Sequence, residues 1–117
     1  MGLKIANHLF YGPFPVDTVA IRANQAPVVF AIVSRGGEPW LPTFRLIDVG
    51  DSGDDGIVLA QHPRRAAWNA DPNGELQAYL LDVPRRQVDA EHRRRLAEDI
   101  RAALAPAGGD IPLSGGM

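Results

Sequence analysis

The stretch Ala26–Trp68, APVVFAIVSRGGEPWLPTFRLIDVGDSGDDGIVLAQHPRRAAW, carries the densest structural signal in the chain. Val28–Ser34 is apolar at consecutive positions, which predicts a central strand covered on both faces. Arg35–Pro42 contains two glycines and two prolines and reads as a wide loop that returns the chain antiparallel. Phe44–Val49 then predicts a second strand beside the first. Gly50, Ser52 and Gly53 follow it, and Gly50 is expected to take a backbone conformation closed to residues with a Cβ. Ile57–Gln61 reads as a short helix started by Asp54 or Asp55 and limited by Pro63.

Upstream, the β-formers of Leu3–Tyr11 predict an edge strand, ended by Gly12-Pro13-Phe14-Pro15. Val16, Val19, Ala20 and Ala23 have helical spacing, with Asp17 as an N-cap. Downstream, Asp71-Pro72-Asn73-Gly74 is a turn, and Glu75–Val83 is a third strand with Leu76, Ala78 and Leu80 on one face. Asp89 opens a helix whose apolar stripe is Leu96, Ile100, Ala103 and Leu104, stopped by Pro106 and Gly108-Gly109. The order β-β-α-β-α predicts an α+β fold, a small two-layer domain with a three-stranded antiparallel sheet flanked by helices. That domain is expected over residues 27–106, with an N-terminal extension over 1–26 and a flexible tail over 107–117.

A chain of 117 residues, 45% apolar and 22% charged, has the composition of one ordinary globular domain. Its longest apolar run, Val28–Val33, is too short to span a bilayer, and the first residues hold no signal-peptide block, so no membrane partner and a cytoplasmic location are expected. The absence of cysteine excludes disulfides and thiolate metal sites. A net charge of −2 argues against wholesale electrostatic attraction to nucleic acid, although local basic patches remain possible partners for it.

The order of elements and the residues that punctuate them resemble the GIY-YIG family of endonuclease domains over about Ala26 to Pro106. Val28-Val29-Phe30 falls on that family's first motif and Asp48-Val49-Gly50 on its second, which keeps the glycine and replaces the tyrosine by Asp48. Ser52 and His62 match a common family serine and histidine, and Glu98 matches the metal-binding glutamate. The resemblance implies a GIY-YIG-like fold and a Mg²⁺ held by Glu98 as Lewis acid. It also implies lost chemistry, because Phe30 stands where a tyrosine hydroxyl would act and Val58 where the catalytic arginine would stabilise phosphate. The expected function is a catalytically degenerate binding module for nucleic acid or protein. The alternatives are a divergent Mg²⁺-dependent endonuclease and a small accessory protein whose acidic loops bind a basic partner.

Candidate site residues on this reading are Asp48, Ser52, His62, Arg64 and Arg65. Arg64, Arg65, Trp68 and Arg94 are candidates for nucleic-acid contact, through forked donors on phosphate and an indole stacked on a base. Each has a plainer alternative. Arg64 and Arg65 could point to water with Trp68 packed beneath them, and Glu98, between Arg94 and Arg101, has the spacing of surface ion pairs. Arg93-Arg94-Arg95 reads as part of the same mixed-charge helix face.

Overall fold

A computed structural model describes residues 2–22, 28–53, 55–69, 74–82 and 90–111. In chain order the elements are β1 (Gly2–Ile5), β2 (His8–Pro15), β3 (Ala20–Arg22), β4 (Val28–Glu38), β5 (Leu41–Asp51), β6 (Gly56–Val58), β7 (Glu75–Asp82), helix α1 (Ala90–Leu104) and β8 (Asp110–Ile111). Single 3-10 turns lie at Val16–Thr18, Leu59–Gln61, Arg65–Ala67 and Ala105–Ala107. Strands account for 54% of the structure.

The main sheet has six antiparallel strands in the order β1-β2-β7-β4-β5-β8, curled into a nearly closed, barrel-like form, and β3 pairs with β6 in a separate ribbon. This overturns the expected three-stranded sheet flanked by helices. The strands β7, β4 and β5 form only the middle of the sheet, and among the described residues a single α-helix packs on it.

Local chemistry explains each difference. Leu3–Tyr11 is a hairpin rather than one strand, because Ala6 and Asn7 adopt φ of 50° and 70°. Two positive φ values at the turn centre match the right-handed twist of the flanking strands, a role usually signalled by Asn-Gly. Around Val16–Ala23 the two-residue period of the buried Val19 and Ile21 prevails over the helical spacing, giving a 3-10 turn and then β3. Ile57–Gln61, expected as a helix, starts as strand β6 with the β-branched Ile57 and Val58 and ends as a 3-10 turn. Gly56 makes this pairing possible: its φ is 82°, and a Cβ there would run into the Ile21 carbonyl. The presumed loop Arg35–Pro42 is instead the end of a long hairpin, with Glu38 paired to Leu41 across Pro39-Trp40.

β4 has β7 on one side and β5 on the other, and its alternating side chains enter two separate cores. Val29, Ala31 and Val33 face α1 and pack with Ile5, Phe10, Val49, Ile100 and Leu104. Val28, Phe30 and Ile32 face the β3–β6 ribbon and pack with Ile21, Leu59, Trp68 and Ala78. Leu3, Ile5 and Phe10 of β1 and β2, together with Ile111 of β8, share the α1 core, so both edges of the sheet curl toward the helix. On α1 the buried positions are Arg93, Ala97, Ile100 and Leu104, with Ala103 exposed. The expected helix start at Asp89, the turn at Asp71–Asn73 and the end of the tail lie outside the described residues.

Candidate functional site

Asp48 is the hub of the candidate site. The β4–β5 register skips between Ile32, which faces Asp48, and Val33, which faces Leu46, leaving Ile47 as an extra residue in β5. Such a bulge re-aims the side chains around it. Here it places Asp48, 8% exposed, at the outer edge of β5 between α1 and the segment that ends in Trp68.

Every oxygen of that carboxylate is engaged. Oδ1 accepts the Val49 N–H at 2.8 Å and Arg101 Nη2 at 3.2 Å. Oδ2 accepts the Trp68 indole N–H at 2.8 Å and lies 3.3 Å from Arg64 Nε. β8 pairs only with Phe44 and Arg45, so among the described residues no strand pairs with the β5 edge beyond it. Arg101 Nη2 also donates to the Val49 carbonyl at 2.8 Å, supplying a partner that a strand would otherwise provide.

Trp68 is 4% exposed and forms an aromatic cluster with two other rings. His62 stacks on it with ring centroids 4.8 Å apart and planes 30° apart, and Phe30 meets both rings edge-on at 5.5 and 6.2 Å. The Arg64 backbone N–H donates to His62 Nδ1 at 3.0 Å, so that nitrogen carries a lone pair and the proton of the neutral ring sits on Nε2. Burial holds the His62 pKa below its ordinary value, helped by the Arg64 charge and opposed by Asp48.

The other candidates are also in structural use. Ser52 is buried: its Oγ accepts the Val28 N–H at 2.9 Å and its O–H donates to the Gly53 carbonyl at 3.0 Å, tying the start of β4 to the end of β5. It makes no nucleophile pair with His62, whose Nδ1 is taken by Arg64. Arg65 forms a two-pronged pair with Asp17 at 2.7 and 3.0 Å, which lowers the Asp17 pKa and raises that of Arg65. Its guanidinium is therefore already committed, and Val58 is half-exposed on β6. Gly50 does not have a positive φ. Its need for glycine comes from packing, because a Cβ would lie 2.6 Å from Phe30 Cζ.

Glu98 and Arg94 lie elsewhere, in a shallow groove of ≈ 210 Å³ with Glu91 and Arg95. Asp48 instead borders a groove of ≈ 220 Å³ with Arg101, Leu104 and Gly109. No group of three or more His, Asp or Glu among the described residues could hold a metal ion. With two guanidinium groups on Asp48 and no cluster of acids around it among the described residues, the site does not fit Mg²⁺.

Three participants escaped the sequence reading: Arg101, Arg93 and Asp17. Arg93 is 3% exposed and its Nε lies 2.9 Å from Asp51 Oδ1, so it is not part of the mixed-charge surface. Its position gives the signal that was available. Residues 93, 97, 100 and 104 share one helix face, and a charge on an otherwise apolar face implies a buried partner. No protein-family model, curated protein or solved structure matches the chain.

Proposed function

We propose that the protein is a non-catalytic binding module whose partner is a protein rather than a nucleic acid. The engagement of Asp48 carries this reading: its oxygens are shared among the Trp68 indole, the Val49 amide and two arginines, so this carboxylate is not free to activate water or hold a cation. The positions at which catalytic side chains were expected, Phe30, Asp48 and Val58, are in structural use. Phe30 and Asp48 are buried in packing and ion pairing, and Val58 belongs to a strand.

Surface chemistry favours a protein partner. Trp68 is buried and cannot stack on a base, Arg65 is neutralised by Asp17, and the whole chain carries −2. The end of the β4–β5 hairpin, by contrast, holds Trp40 at 79% exposure and Leu41 at 63%, flanked by Pro39 and Pro42. An exposed aromatic and an exposed aliphatic side chain between two prolines suit recognition of another protein's surface.

Incubation of the purified protein with single- and double-stranded DNA and RNA, with and without Mg²⁺ and Mn²⁺, tests the reading. Neither cleavage nor salt-sensitive binding is expected. Cleavage that disappears in Glu98→Ala overturns the proposal. On the protein side, Trp40→Ser is expected to keep the wild-type unfolding midpoint and to lose the partner that wild type retains in a pull-down.

A further inference from the structure

We propose that His62–Trp68 is a pH-sensitive clasp on the Asp48 site, held shut by neutral His62 and released when that ring takes a proton. The inference concerns regulation and does not depend on which partner the module binds. Its failure leaves the binding reading standing.

The geometry sets the requirement. His62 Nδ1 accepts the Arg64 N–H at 3.0 Å, and a proton on Nδ1 would turn that acceptor into a donor facing a donor. The same ring lies flat on Trp68, whose N–H is held by Asp48, and edge-on to Phe30. Loss of the Nδ1 contact therefore reaches the indole, the Arg64 backbone and the carboxylate hub in a single step.

The groups around the ring decide the direction. β4 offers only the apolar Phe30, with no charge to welcome a proton. The clasp itself contributes the Arg64 guanidinium, which repels one, and the Trp68 face, which favours a cation modestly. β5 contributes Asp48, whose attraction is already divided between Arg64 and, from α1, Arg101. On the flank, Arg65 and Asp17 neutralise each other. Burial and Arg64 together hold the folded-state pKa below 6.5. In the unfolded chain the ring titrates near that ordinary value, so the clasp contributes its full stabilisation above pH 6.5 and loses it as pH falls through the lower folded-state value. Release bares the Trp68 indole and the Asp48 carboxylate and parts them from the half-exposed Arg64 guanidinium, all three being joined at neutral pH.

Trp40→Phe leaves Trp68 as the only tryptophan and makes the clasp visible by fluorescence. The variant is titrated from about pH 8 to about pH 4, the range in which histidine changes charge, with far-UV circular dichroism recorded alongside. The expected result is a shift of Trp68 emission to longer wavelength, with a midpoint below 6.5 and unchanged secondary structure. Three outcomes overturn the proposal: no shift, quenching without a shift (a stack that survives protonation), or a shift that coincides with loss of secondary structure. Adding His62→Gln is expected to abolish the transition. Nitrogen NMR of the wild-type imidazole gives an independent reading should that variant not fold, and a proton on Nδ1 at neutral pH would likewise overturn it.

Discussion

Replacing Asp48 by Asn preserves the shape of the hub and removes its charge. One oxygen becomes an NH₂ group, so at least one present donor must face another donor. If the retained oxygen serves the Val49 amide and Arg101, the new amide nitrogen meets the Trp68 indole N–H and Arg64 Nε; in the flipped orientation it meets Val49 and Arg101. A buried donor left unpaired costs about 1–3 kcal/mol. The two lost ion pairs involve half-exposed arginines, 52% and 51%, and are discounted for solvent screening to about 0.2–1 kcal/mol each. The sum is about 3 kcal/mol, a large part of the roughly 5–15 kcal/mol that keeps a domain folded. In urea unfolding, with a slope of about 1–3 kcal/mol per molar for small proteins, the midpoint falls by about 1–3 M and the slope stays constant. A loss under about 1 kcal/mol would refute the claim that Asp48 is a structural hub. So would additivity with Trp68→Phe within about 0.5 kcal/mol, because residues that share a hydrogen bond must couple.

Two further substitutions probe the same region. Gly50→Ala places a Cβ 2.6 Å from Phe30 Cζ in a ring cluster with no room to yield, and is expected to cost about 1–3 kcal/mol, read as a lower thermal midpoint and altered near-UV aromatic signals. Ser52→Ala leaves the buried Val28 N–H without its Oγ partner, with an expected loss of about 1–3 kcal/mol and faster hydrogen exchange at the Val28 amide. A wild-type midpoint and exchange rate in that variant would make Ser52 dispensable.

The legible parts of the fold were those written in local pattern. The unbroken apolar run at Val28–Val33 announces a strand with a core on each side, and Leu76, Ala78 and Leu80 show their shared face by alternation. Three things were hidden. The β1–β2 turn at Ala6-Asn7 contains no glycine and places an alanine at its first position, so Asn7 alone hints at two consecutive positive φ values. Val16, Val19 and Ala20 have helical spacing while Val19 and Ile21 have strand spacing, too short a segment for pattern to choose, and pairing with β6, more than thirty residues away, decides between them. β8 has only two residues, below the length at which any pattern can be read.

The site was legible as a set of residues but not as an arrangement. Asp48, His62, Arg64 and Trp68 do converge, while Arg65, Ser52, Arg94 and Glu98 turn to other partners or another groove. The bulge at Ile47 that aims Asp48, and the early end of the β5–β8 pairing beside which Arg101 reaches it, are properties of the sheet and have no local signature.

The order in which the six strands lie also governs how the chain can be assembled. Tyr11 pairs with Leu80, Val29 with Leu81 and Phe44 with Ile111, so closing the sheet means closing very long loops. Folding is thereby placed among the slower, non-local topologies. During synthesis the β1–β2 hairpin emerges long before β7 and must wait for residues 75–82, and its strand edge, together with Leu9 and Tyr11, stays open to other chains until β7 arrives.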